Sequence, residues 1–343
     1  MRTIDFRMDV LRDGVRYDEL TIISAPSVFC DYNAETKTSM RGEFLFNPNV
    51  NYITDELQPV VIIDGIDYPY GVFKIVTRTS SFTELGLQHD TIEAYDRSIA
   101  LTWTKLEQRD YWPAGTSYDT VISHYLAGAG ISNVYMTPSG ETLQSDREDW
   151  DTGTDYLSVV NELLSEINYE SIWFDLNGFA RLAPYQAPDA SLITHQYGVD
   201  YGLSVIAPEC TSEIDLYNKP NVFIAILNNP EYETPLTATA VNDSPASKLS
   251  TINRGLRIPE VILVSNIASA EALQLYVNRL RNESIQTSEN VAIQTAIMPG
   301  HQVGDIVGLV HPAINGVFRE ISWSFSMQPG TYMEHTLQRI VIL

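Results

Sequence analysis

Six histidines, His89, His124, His195, His301, His311 and His335, are the side chains best suited to move a proton or hold a metal near neutral pH. They are scattered, and neither His-Glu-x-x-His nor Cys-x-x-Cys occurs, so spacing supports no zinc site. Cys30 and Cys210 are the only cysteines, too few for a zinc quartet or a disulfide framework, although one bridge between them stays open. The densest carboxylate run, Glu141, Asp146, Glu148, Asp149, Asp151 and Asp155 around the single Arg147, lacks the alternating ligands and fixed glycine of a calcium loop. It reads as a solvated loop. No Gly-x-x-x-x-Gly-Lys phosphate loop and no Gly-x-Ser-x-Gly elbow is present. With 44 acidic residues a carboxylate pair for glycoside hydrolysis is always available, and Ser-His-Asp sets are equally unconstrained, so neither identifies an enzyme. Trp103, Trp112, Trp150 and Trp173 have the rings to stack on sugars, yet large aromatics in a β-protein more often bury apolar area. No catalytic, cofactor-binding or metal residue is assigned, and no cofactor is expected.

The elements that would have to position any site follow from composition and period. At 343 residues the chain is long for one core, and a prior of about 150 residues per domain gives two or three. Hydrophobic content of 44% and 19 tyrosines indicate folded, sheet-rich structure. A net charge of -23 repels a phosphate backbone, which excludes ordinary DNA or RNA binding. No apolar run approaches the roughly 20 residues of a membrane span, and Met1 to Val10 is charged and alternating rather than a secretory signal. The protein is expected to be soluble and made in the cytoplasm.

The organising stretch runs from Asp151 to Tyr185. Tyr156, Leu157, Val160, Leu163, Leu164 and Ile167 recur at helical spacing, with Thr154 or Asp155 to cap the first turn. Asn177-Gly178 then separates two apolar runs, a strong hairpin signal. Before this unit, alternation from Thr3 to Leu11, an Asp13-Gly14 turn and a run from Tyr17 to Ile23 predict a hairpin. Further strands are expected over Ser27 to Tyr32, Ser39 to Phe46, Pro59 to Asp64, Gly71 to Phe82 and Gly86 to Tyr95. Tyr118, Val121, Ile122, Tyr125 and Leu126 share a helix face ending at Gly128 or Gly130. After a linker at Gln186 to Ala190, strands are predicted at Ser204 to Ala207, Asn221 to Leu227, Leu236 to Val241 and Pro259 to Val264. A helix capped by Ser269 follows, with Leu273, Tyr276, Val277 and Leu280 on its buried stripe, and then strands at Val291 to Met298, Asp305 to Val310, Gly316 to Met327 and Thr331 to Ile340. The chain is thus mainly β with an α+β insertion. Its expected parts are a β-domain over 1–98, an acidic α+β domain over 99–187 and a second β-domain with one helix over 188–343.

The two β-rich regions resemble each other. Gly71-Val72-Phe73-Lys74-Ile75 and Gly316-Val317-Phe318-Arg319-Glu320-Ile321 align, and Thr91 and Thr336 each lie twenty residues after their glycine. Pro59 to Ile63 falls over Gly304 to Gly308 at the same offset. Chance is the competing account, since β-sequences share an alphabet of Val, Ile, Thr and Phe. A true repeat implies two barrels of one fold.

The order of parts resembles bacteriophage tail hub proteins of the late-control-gene-D and baseplate-hub group. The likeness is carried by Ile92-Glu93-Ala94-Tyr95-Asp96-Arg97-Ser98, by Tyr156 to Tyr169 leading into Asp175-Leu176-Asn177-Gly178, and by Val303-Gly304-Asp305-Ile306-Val307 with Leu337-Gln338-Arg339-Ile340. It covers most of the chain, and its motifs are patterns of fold rather than catalytic signatures. The resemblance implies two tail-tube-like β-barrel domains flanking the small α+β domain. It further implies a homotrimer whose six barrels form a ring joining a six-fold tail tube to a three-fold spike, and lining part of the ejection channel. Expected partners are a tube or tube-initiator protein on one face, the central spike on the other, surrounding baseplate proteins and the tape measure protein, with no sequence-specific nucleic acid and no membrane. The expected location is the virion tail baseplate, assembled in the host cytoplasm. Because the sequence stops at Leu343, after the second β-region, lysozyme or peptidase activity is expected from another protein. Two alternatives stay open: a glycosidase, which requires two carboxylates about 5 to 10 Å apart in a cleft, and a cell-wall or receptor-binding tail module, which exposes aromatics on a rigid surface.

Overall fold

The computed structural model describes residues 3–198, 206–207, 209–214, 219–227, 236–264, 266–286 and 289–340. The first β-region contains β1 (Ile4–Arg12), β2 (Val15–Leu20), β3 (Ile22–Asp31), β4 (Thr38–Leu45), β5 (Glu56–Ile63), β6 (Ile66–Pro69), β7 (Phe73–Phe82) and β8 (Gln88–Asp96). The run predicted from Tyr17 to Ile23 is two strands rather than one. The break falls at Thr21, whose carbonyl accepts from Leu45 N–H at 2.9 Å, and the chain then turns into β3. Strand β6, unmarked by alternation in the sequence, pairs with β5.

The middle holds α1 (Ser98–Trp103), α2 (Tyr118–Gly128), β9 (Val134–Met136), α3 (Tyr156–Glu166), β10 (Trp173–Phe174) and β11 (Ala180–Leu182). Asp155 caps α3 by accepting from Ser158 N–H at 2.9 Å, and Leu157, Val160, Leu163 and Leu164 are buried, as the helical spacing requires. The tip of the hairpin formed by β10 and β11 docks on the first region. Leu176 O accepts from Gly71 N–H, Gly178 O accepts from Arg97, and a Cβ at Gly178 would stand 2.8 Å from Val72 Cβ. Only glycine fits at that approach.

Then come β12 (Ile193–Gly198), β13 (Thr211–Glu213), β14 (Val222–Leu227), β15 (Thr237–Val241), α4 (Thr251–Arg254), β16 (Pro259–Val264), α5 (Ala270–Gln286), β17 (Asn290–Ala296), β18 (Ile306–Val310), β19 (Asn315–Ser326) and β20 (Tyr332–Arg339). Ser269 Oγ accepts from Ala272 N–H, capping α5 as expected. The strand predicted at Ser204 to Ala207 lies largely outside the described residues; Ile206 bridges Thr295. Strands β14 to β16 form a separate three-stranded sheet covered by α5. One apolar cluster runs continuously from Leu101 in α1 through α2 and α3 to Phe223 and Val277.

The strands of both β-regions join in one 14-stranded sheet along the path β13-β17-β20-β19-β3-β4-β8-β7-β5-β1-β2. Within it the pairing β5-β7-β8-β4-β3 is repeated by β18-β19-β20-β17-β13. Both β7 and β19 carry a bulge, between Ile75 and Thr77 in one and between Glu320 and Ser322 in the other, at the same distance beyond Gly71 and Gly316. Facing residues then fix the equivalences. Leu57 opposes Phe73 as Val307 opposes Phe318, and Ala94 opposes Ile75 as Leu337 opposes Glu320. Leu57, Phe73, Ala94, Val307, Phe318 and Leu337 are all buried.

Two details of the sequence alignment are corrected. Thr77 faces Glu93 where Ser322 faces Thr336, so Thr336 is the counterpart of Glu93, two residues from Thr91. A shift of two keeps every side chain on its own face, which is why the pattern matched in the wrong register. Val307 is likewise the counterpart of Leu57 and not of Ile62, so Pro59 to Ile63 does not overlie Gly304 to Gly308. Loop lengths differ between the regions although the strand pairing does not.

Candidate assembly surfaces and a buried histidine clamp

The two β-regions meet where β3 runs beside the far half of β19, with Val28 opposite Phe325 and Cys30 opposite Trp323. The contact is a ladder with an apolar floor. Tyr70 packs edge-on against Trp323 and Phe325 at centroid distances of 5.7 and 4.7 Å, and its hydroxyl donates to Met298 O at 2.5 Å. Met327 N–H donates to Pro26 O, Tyr32 N–H to Ile321 O, and Arg319 to the Tyr32 hydroxyl. Trp323, Phe325, Met327 and Met333 of the second region complete the core of the first.

Beneath the second region the structure gathers three of the six histidines. Glu320 on β19 accepts from His301 Nδ1 at 2.6 Å and from His335 Nδ1; His301 Nε2 meets the Tyr197 hydroxyl at 2.5 Å and His335 Nε2 meets Thr295 Oγ1 at 2.7 Å. His195 stacks on His301 at 3.8 Å and lies 3.4 Å from Asp305. Glu320, His301 and His335 are essentially without solvent exposure. Burial pushes Glu320 up, but the charge and hydrogen bonds of His301 and His335 outweigh it and hold the carboxyl down at about 2. Burial holds His301 below the ordinary histidine range against the pull of Glu320. Thr295 also lies 2.9 Å from Ala296 O. The Thr295 hydroxyl therefore ties His335 Nε2 to the β17 backbone.

His301, Glu320 and His335 are close enough together to be considered for a cation, as are His195, His301 and Asp305. In the first set both Nδ1 atoms already face Glu320, so a metal there would displace both hydrogen bonds. These hydrogen bonds clamp β17, β19 and β20 together. The histidine positions carried no spacing signal because they sit on a loop and on strands brought together only by sheet pairing. His89 instead lies 3.3 Å from Glu43, His124 packs edge-on against Trp112, and His311 stands 3.5 Å from Cys210 Sγ. Cys30 and Cys210 are both free thiols, Cys30 buried.

The acidic run is the loop its composition predicts, with Glu141, Asp146, Glu148, Asp149 and Asp151 exposed, but the cation at its centre is buried. Arg147 is 2% exposed and binds Glu166 at 2.8 Å, Asp149 at 2.9 Å and Glu162 at 3.3 Å, with its guanidinium 4.5 Å above Trp150. Burial pushes Glu166 up to about 7 against the opposing pull of Arg147 and Tyr118. The lone cation is the pin that folds the loop onto α3. Trp150 and Trp323 are core residues, while Trp103 is exposed.

The solvent face of the long sheet carries Thr77, Thr79, Ser81 and Thr91 on the first region and Ser324, Ser326, Gln294 and Glu334 on the second. Arg41 stands opposite Glu93, with Glu43 two residues on along β4. A groove of about 620 Å³ crosses it from Phe29 and Asp31 to Cys210.

No family model matches the chain, and no curated protein matches its sequence. Among solved structures it is similar to the tail protein from Neisseria meningitidis MC58, with 14% identity, 98% of this chain and 97% of that one covered, and a TM-score of 0.67. The prophage MuSo2 43 kDa tail protein from Shewanella oneidensis gives 13% identity, 98% of both chains and a TM-score of 0.67. The E. coli c3393 protein, a type VI secretion component with structural similarity to the T4 tail proteins gp27 and gp5, gives 9% identity, 97% of this chain, 77% of that one and a TM-score of 0.55. The chain therefore has the mainly β fold of phage tail proteins. The resemblance of its residues to the baseplate-hub group lies within that class.

Proposed function

We propose that this protein is a structural hub of a phage or phage-tail-like baseplate. Three chains, each with two tail-tube-like barrels from 1–98 and 188–343 around the α+β part over 99–187, would form a pseudo-six-fold ring joining the hexameric tail tube to the trimeric spike. Tube or tube-initiator protein docks on one face, spike on the other, baseplate proteins outside, with the tape measure protein and genome passing within. The role is structural, not catalytic. The observation that carries the reading is the doubled strand order with matching bulges and matching core positions, because a chain with two equivalent modules can match six-fold symmetry with three copies. The Ser/Thr and carboxylate face of the sheet suits a channel wall. A duplex carries a charge about every 1.7 Å of axis, and a lining rich in Lys and Arg would bind it where this one lets it slide.

Native mass spectrometry of the purified protein, alone and with its spike, tests the reading. Three times the chain mass of 38.5 kDa is expected. A dimer, or a monomer within an assembled particle, overturns it.

A further inference from the structure

A strand has two edges. On β19, β20 takes one, and the other is shared by β18 through Asn315 to Arg319 and, beyond the bulge, by β3 through Ser322 to Ser326. On β7, β8 takes one edge and β5 covers only Phe73 and Lys74 of the other. From Thr77 to Phe82 that edge has no strand beside it among the described residues. The one charge in that stretch, Arg78, turns to Asp90 and the Tyr52 ring, and there is no Pro, Lys or further bulge to protect the edge. Strand β13 is the converse case: it pairs with β17 as β3 pairs with β4, and its second edge is bare among the described residues.

We infer that β13 of one chain adds to the open edge of β7 in a second copy, repeating between chains the β3 to β19 contact within one chain. The equivalences set the register. Thr211 takes the place of Ser27 and Ser212 that of Val28, so Ser212 lies antiparallel and opposite Ser80, with Thr211 opposite Ser81 and Glu213 opposite Thr79. Apolar surface marks the same place. Met327, the counterpart of Phe82, is 3% exposed beneath Pro26, whereas Phe82 is 70% exposed. Cys210 precedes Thr211 as Pro26 precedes Ser27, so β13 brings a neighbour over Phe82 as β3 does over Met327. Each chain offers one edge and one strand on different modules, a head-to-tail contact that three copies can close into a ring. This rests on the trimeric hub reading and names the surfaces that build it.

The test is a Ser80→Cys/Ser212→Cys variant of the full chain with Cys210→Ser, mildly oxidised and run on a non-reducing gel beside the two single-cysteine controls. Directly opposed residues have Cα atoms about 4.5–5.5 Å apart, within the Cα separation a disulfide spans. Covalent trimers from the paired variant only are expected. Phe82→Asp should raise the trimer dissociation concentration about tenfold or more without changing secondary structure. A protein that is trimeric by mass but neither cross-links nor responds to Phe82→Asp overturns the strand pairing and leaves the hub reading standing; a protein that is not trimeric overturns both.

Discussion

Strands β7 and β19 have the same neighbours in the same order, the same glycine and phenylalanine and the same bulge, yet their far halves live in different surroundings. Trp323 and Phe325 are buried under β3, while Arg78 and Ser80 at the matching positions keep solvent contact. Arg78 finds its partners locally, in Asp90 at 3.0 Å and over the Tyr52 ring at 4.0 Å. The difference shows that what a strand position may hold is set by what covers its edge, not by the strand. It also shows where a module built twice was altered: Glu320, the heart of the histidine clamp, takes the place of Ile75.

The comparison can be broken most sharply at Trp323. Trp323→Ala should cost about 3–5 kcal/mol in denaturant melts because both regions lose a shared core residue. Arg78→Ala should cost clearly less, and equal losses would contradict the asymmetry. Leu164→Ala on α3 lies outside both regions and should cost about 2–5 kcal/mol. Unchanged stability would place its stripe in solvent.

Glu320→Gln tests the clamp that only one region has. A carboxyl held at about 2 against an ordinary 4.5 contributes stability that is present above pH 4.5 and lost as pH falls toward 2. The loss on substitution should be on the order of 3 kcal/mol at neutral pH, and the acid limb of stability against pH should flatten. Ile75→Val at the matching site should leave that limb unchanged. Smaller still, Gly71→Ala and Gly316→Ala should each cost about 1–3 kcal/mol, since both residues have positive φ, 104° and 152°. At Gly71 the added Cβ meets the Phe73 ring at 2.9 Å, and at Gly316 the far end of the long Arg339 side chain at 2.7 Å, which has more freedom to shift than a ring next to its own backbone, so the first should cost more. Thermal melts of the two variants compare the sites directly.

Local signals carried well. Asp155 ahead of an apolar stripe fixes α3, Asn177-Gly178 fixes the following hairpin, and Gly-Val-Phe at two places marks β7 and β19, because caps, turns and period are properties of a few adjacent residues. Period two cannot report register, however, so Thr91 was matched to Thr336 when Glu93 is its counterpart. The acidity of the Glu141 to Asp155 run was legible as charge, but not the burial of Arg147 at its centre, since composition does not say which way a side chain turns.

By itself the sequence determined a mainly β chain with an α+β insertion, a doubled pattern and no motif for catalysis. Only the tertiary structure decided that the two β-regions share one sheet, that His301 and His335 close on Glu320, and that β19 is covered where β7 lies open. Those facts depend on pairing between segments as distant as β3 and β19, and a strand's alternation records which face is buried without recording which strand lies at its edge.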